Sequence, residues 1–112
     1  MGLDEVLMVL SNERRRHVIT VLGEEGGLPL ADLRREVANR QADGEATGAE
    51  HKRVHVSLHQ SHLPKLKEHG VVSDMEEDFI HQGPRFGLVH RVHEAAADAM
   101  EARRGMVTRL FG

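Results

Sequence analysis

The strongest constraint in this chain is a helix secured at both ends and followed at once by a hairpin. Thr47 and Glu50 form a Thr-x-x-Glu capping box, whose hydroxyl and carboxylate each take an amide that a helix start leaves unbonded. At the far end, Gly70 offers the left-handed position that closes helices, with apolar Val71 as its Schellman partner. Pro64 lies inside this helix and removes the amide that would bond Gln60, which predicts a kink. Val71-Val72-Ser73 and Phe79-Ile80-His81 then read as two short strands around the acidic turn Asp74-Met75-Glu76-Glu77-Asp78, ended by Gly83-Pro84.

Upstream, Leu3, Val6, Leu7 and Leu10 make one apolar stripe of a short helix. Ser11 is the expected N-cap of a second helix that carries Val18, Ile19, Val21 and Leu22 and stops at Gly23. Leu28-Pro29-Leu30 suits no more than an edge-strand fragment. Leu30, Leu33 and Val37 mark a third helix of about two turns, and residues 39–48 read as a polar loop. Downstream, Leu88, Val92, Ala95, Ala99, Ala102, Met106 and Leu110 follow a heptad-like spacing that predicts a long terminal helix; Phe86, Leu88 and His90 also alternate as a strand would. The resulting order is helix, helix, strand fragment, helix, helix, strand, strand, helix. It predicts a mainly α domain with a small β-hairpin wing, a winged helix-turn-helix over residues 1–84 with a C-terminal dimerisation helix over residues 85–112.

Composition removes whole classes of function. The chain has 112 residues, no cysteine and a net charge of −3. A disulfide scaffold, a thiolate zinc site and a thiol nucleophile are therefore excluded. No apolar run approaches the roughly 20 residues of a membrane span, and the start lacks a signal-peptide pattern, so a cytoplasmic protein without membrane partners is expected. The only aromatic residues are Phe79, Phe86 and Phe111, and so thin an aliphatic core would gain from burial against a second copy. No nucleophile elbow, P-loop, dinucleotide fingerprint or zinc-protease motif is present, so no enzymatic activity and no cofactor are expected.

On a 100° wheel with His51 at zero, Arg53, Ser57, Gln60, Ser61, Pro64 and Lys67 fall between about 160° and 280°. The acids on this arc are only Glu50 and Glu68, both at about 260° and at opposite ends of the helix, although Asp and Glu abound elsewhere. Arg, Gln and Ser are the side chains that meet base edges, and the second helix of a helix-turn-helix enters the major groove. Residues 49–69 are thus the expected recognition helix, with Arg53, Ser57, Gln60 and Ser61 reading double-stranded DNA. Lys52 and Lys65 would contact phosphates, with Arg14, Arg15 and Arg16 as further candidates; the alternative for such a face is ordinary solvation. The dimer interface is expected at Leu88, Val92, Ala95, Ala99, Met106 and Leu110, against the alternative that this stripe folds back on its own domain.

His51, His55, His59 and His62 share a narrow arc of the same wheel, between 0° and about 80°. Histidines at this spacing suit zinc, nickel or copper, which makes a metal-responsive repressor one alternative. The competing expectation is half-buried rings at His55 and His59, with no metal site.

The stretch Leu10-Ser11-Asn12-Glu13-Arg14-Arg15-Arg16 with Val18-Ile19 resembles the opening of a family of small haloarchaeal winged-helix proteins. So, more specifically, does Lys52-Arg53-Val54, Ser57-Leu58, His62-Leu63-Pro64-Lys65-Leu66 and Gly70-Val71-Val72. The resemblance covers about residues 5–84, and is more distant to ArsR-like and PadR-like repressors. It implies a dimeric DNA-binding transcription regulator from a salt-loving source, with Arg53, Ser57, Gln60 and Ser61 on the reading helix. Positions 55 and 59, often aromatic in relatives, are histidine here. The wing (Asp74, Glu76, Glu77, Asp78) is acidic, so salt cations would have to bridge it to phosphate. A further alternative is a winged-helix module that has lost DNA binding and docks a protein partner through this wing.

Overall fold

The computed structural model describes residues 1–76 and 78–111, and side chains for all of these except 75, 76 and 107–111. Helix α1 (Leu3–Leu10) leads into α2 (Glu13–Glu25), strand β1 (Gly27–Pro29) and α3 (Leu30–Ala42). Helix α4 (Gly48–Ser57) continues through a π-helical turn (Leu58–His62) into α5 (Leu63–Glu68). Strands β2 (Val72–Glu76) and β3 (Phe79–Gln82) precede α6 (Phe86–Phe111). The three strands form one antiparallel sheet in the order β1-β3-β2. Leu28 opposite Ile80 sets the β1 register, and Pro29 costs no ladder bond because β1 is an edge. The chain therefore folds as a winged-helix-like domain, with α2, β1, α3, the α4–α5 helix and the β2–β3 wing in sequence. Helices α1 and α6 flank it.

The predicted ends of the long helix are both present. The Thr47 hydroxyl accepts from the Glu50 amide at 3.2 Å, and the Glu50 carboxylate accepts from the Thr47 amide at 3.1 Å. Gly70 has φ 72°, the Gly70 amide donates to Lys67 O and the Val71 amide to Leu66 O, which completes the Schellman pair. Gly83 must lack a side chain for a different reason: a Cβ there would collide with the Gly70 carbonyl.

Several local expectations need correction. The N-cap of α2 is Asn12, whose side chain accepts from the Arg14 and Arg15 amides; Ser11 instead donates to Met8 O and closes α1. Helix α2 runs past Gly23 to Glu25 and is capped by Gly26; the glycine at 23 instead makes room for the His90 ring of α6, which a Cβ there would meet. Helix α3 is longer than two turns. Its last turn is held by an Arg40–Glu24 ion pair at 2.6 Å, and Asp43 caps it in the left-handed conformation at φ 54°. The Asn39 side chain then accepts from the Ala46 amide, which buries Ala46 and shortens the polar loop to residues 43–47. At the C-terminal side, the strand alternative at Phe86–Val92 gives way to helix from Phe86 onward.

Pro64 produces a π-turn instead of a simple kink. Widening the helix at Leu58–His62 lets the Leu63 amide reach back to Leu58 O, so the backbone carbonyls displaced by the proline ring are accommodated within one continuous helix.

Candidate nucleic-acid interface

The long helix is held by four apolar anchors on its inner side. Val54, Leu58, Leu63 and Leu66 are buried in the common core with Ile19, Leu22 and Leu33. The fifth inward residue is a histidine. His62 is 7% exposed, and its Nδ1 lies 3.3 Å from Nη1 of Arg15, itself 7% exposed. A guanidinium only donates, so His62 Nδ1 accepts and the ring is neutral with its proton on Nε2. Burial, and then the charges of Arg15, Arg14 and Lys65, hold the His62 pKa below its ordinary value.

Arg15 also donates to Val9 O and Met8 O, each at 2.8 Å, and to Ser11 Oγ at 3.3 Å. Arg16 donates to Leu10 O at 2.7 Å. The two arginines satisfy the carbonyls left open at the end of α1. Arg15 is therefore not a surface phosphate contact, and Arg16 is committed to α1. Arg14 differs: its Nε bonds Gln41 at 2.8 Å, while its side chain borders the same open depression of about 360 Å³ as Lys52, Arg53, Val56 and Ser57.

The outward side of the helix carries most of the expected reading residues. Lys52, Arg53, Gln60 and Ser61 are exposed, whereas Ser57 and Lys65 are half-buried. The one carboxylate at this end, Glu50, is occupied by the capping box, and its pKa is lowered chiefly by the Thr47 amide it accepts from. Past the π-turn the pattern changes sign. Lys67 donates to Asp74 of β2 at 2.6 Å, and this bond followed by the lysine charge lowers the Asp74 pKa. The wing thus neutralises a cation of the α4–α5 helix in place of adding one. A cleft of about 410 Å³ separates the two, bordered by Arg34, His59, Pro64, Lys67, Asp74 and Asp78.

The four histidines do not share a face. His62 is buried, His51 is half-buried, and His55 and His59 are exposed, which corrects the half-buried expectation for those two. Among the described residues no three His, Cys, Asp or Glu side chains come together as a metal would require.

Residues 7–80 match a family described as a domain of unknown function (DUF7344). The chain belongs to this family. No curated protein and no solved structure matches it. The matched segment begins within α1 and ends in β3, so it spans the whole winged-helix unit of the DUF7344 domain and leaves α6 outside.

In this DUF7344 protein, α6 divides into two parts. Its first turns join the domain: Phe86 and Val89 are buried, and Val92 packs partly against the same core. Sequence reasoning missed Phe86 and Val89, whose three-residue spacing was the available signal. It also placed Val92 toward a partner, although Val92 belongs largely to its own domain. Leu88 is 38% exposed, and every side chain from Glu94 to Met106, including Ala95, Ala99 and Met106, is exposed. The side chain of Leu110 lies outside the described residues. Leu3 and Leu7 of α1 are exposed as well, at 69% and 51%. Among the described residues, no helix is long and apolar enough to cross a membrane.

Proposed function

We propose that this protein is a homodimeric, sequence-specific DNA-binding transcription regulator whose α4–α5 helix enters the major groove. One observation carries the reading: the second helix of the helix-turn-helix presents Lys52, Arg53, Gln60 and Ser61 outward, while its nearby carboxylate is engaged in a capping box. Arg53 suits a guanine edge and Gln60 an adenine edge, with Lys52 and Arg14 placed for phosphate. The acidic wing keeps the positive surface concentrated on the first half of the helix. Selectivity in a salt-rich interior then rests on base-edge bonds more than on phosphate charge, since electrostatic binding falls with salt.

The dimer is supported by the second part of α6. A helix segment with all its described side chains in water has little tertiary packing to hold it, and isolated segments of this length are marginal. Pairing with α6 of a second copy, together with Leu3 and Leu7 of α1, would cover Leu88, Ala95, Ala99 and Met106. The deciding experiment is selection from a random duplex pool at molar KCl. Enrichment of an inverted repeat with half-sites one helical turn apart supports the reading; no enrichment at high or low salt removes it.

A further inference from the structure

One outward side chain in the first half of the proposed recognition helix is apolar. On the wheel used above, buried Val54 and Leu58 point at about 300° and 340°, and the opposite direction, about 140°, belongs to Val56. Val56 is 41% exposed, whereas Val54 and Leu58 are 2% and 0% exposed. Its neighbours on the surface are cations and a hydroxyl: Arg14, Lys52, Arg53 and Ser57 share the depression it lines.

A single valine ringed by positive charge is unsuited to a lipid or to an apolar protein face, each of which offers more apolar area than this spot can match. It suits an anionic surface with one small apolar group at its floor. The major groove supplies that group in the 5-methyl of thymine, the apolar feature among its base edges. We propose that Val56 is a specificity-determining residue that reads a thymine methyl, between a base pair contacted by Arg53 and one contacted by Gln60 a turn further along. The inference rests on the DNA-binding reading above and assigns to that helix a contact that its polar residues do not make.

The test uses the full-length protein and the duplex enriched from the random pool. Each thymine of a half-site is replaced in turn by deoxyuridine, which keeps every hydrogen bond and removes only the methyl. At one position the dissociation constant should rise about fourfold, the equivalent of about 0.8 kcal/mol for one buried carbon. Val56→Ala should bind the thymine duplex as weakly as the wild type binds the uracil duplex, and should be indifferent to the replacement. Val56→Ser, equally small and on an exposed site, should behave the same way, with circular dichroism showing both variants folded. A flat deoxyuridine scan on a duplex that is otherwise bound sequence-specifically overturns the Val56 assignment alone, as does a penalty that persists in Val56→Ala. Failure to enrich any duplex overturns the DNA-binding reading and this assignment with it.

Discussion

Arg15 and His62 meet in the interior at 3.3 Å, Nη1 to Nδ1, and through them the end of α1 is tied to the π-turn of the α4–α5 helix. The contact exists only while His62 is neutral, because a protonated ring has no acceptor to offer and would repel the guanidinium. Arg15 also spends two donors on α1 carbonyls, so one buried side chain links three elements.

Arg15→Ala should destabilise the protein by about 1–3 kcal/mol, since it takes the buried Arg15 Nε donor from the Val9 carbonyl, while Met8 O keeps the Ser11 amide and hydroxyl. Arg15→Lys should recover little, because one ammonium cannot reproduce the fork. Urea unfolding compares the three proteins; an Ala variant within about 0.5 kcal/mol of wild type would contradict this role.

Stability should fall below pH about 6.5, the ordinary histidine value. His62 has a lowered folded pKa, caused first by burial, and His93 likewise, first by burial and then by Arg16. Between the folded and unfolded values the unfolded chain binds more protons, so stability rises with pH in that window and levels off above it. His62→Gln should flatten part of the slope, and His62→Gln with His93→Gln more of it. Urea midpoints from pH 5 to pH 8 provide the check; an unchanged slope in the double variant would refute the assignment.

Two glycines should respond differently to alanine. Gly26 has φ 77° and ψ −52°, a region that L side chains hardly visit, with open space around its missing Cβ, so Gly26→Ala bears backbone strain alone, about 1–3 kcal/mol. Gly83→Ala meets the Gly70 carbonyl, which is backbone and cannot swing aside, and should cost more. Thermal melting of the pair tests the order, and Gly83→Ala proving the milder change would show that the turn can open.

Arg53→Ala and Gln60→Ala should each cost about 1–3 kcal/mol of binding to the enriched duplex and relax preference at one base pair each. Lys52→Ala should weaken binding evenly across sequences and lower the salt slope by about 0.9. Titrations over a salt series separate the two behaviours; equal loss of sequence preference in all three would contradict the division between base and phosphate contacts.

Leu7→Glu with Leu88→Glu should yield a folded monomer, because both leucines are already exposed in the single chain, at 51% and 38%. Light scattering reads the mass. A wild-type protein that is itself monomeric at working concentration would remove the proposed dimer.

Much of the fold was legible locally, because its signals are short-range. The capping box at Thr47 and Glu50, the left-handed Gly70 and the second hairpin strand each depend on residues a few positions apart and took their expected place, whereas β2 runs on to Glu76, into the stretch expected as turn. The outward Lys52 and Arg53 were legible for the same reason, since they lie in the ten-residue regular helix Gly48–Ser57, whereas Gln60 sits within the π-turn. Tertiary structure decided what local rules leave open. Arg14, Arg15 and Arg16 are identical residues in one run, yet one borders the candidate interface and two serve the end of α1, according to which carbonyls the fold brings near. The four histidines of the long helix differ in burial, with His62 inward against Arg15 and His55 and His59 exposed, according to what the fold packs on each. Val92 faces its own core, while exposed Leu3 and Leu7 stand beside α6 as apolar surface that spacing on α6 could not reveal. Periodicity ranks the faces of one helix, but burial is set by the neighbours that the folded chain places against each face.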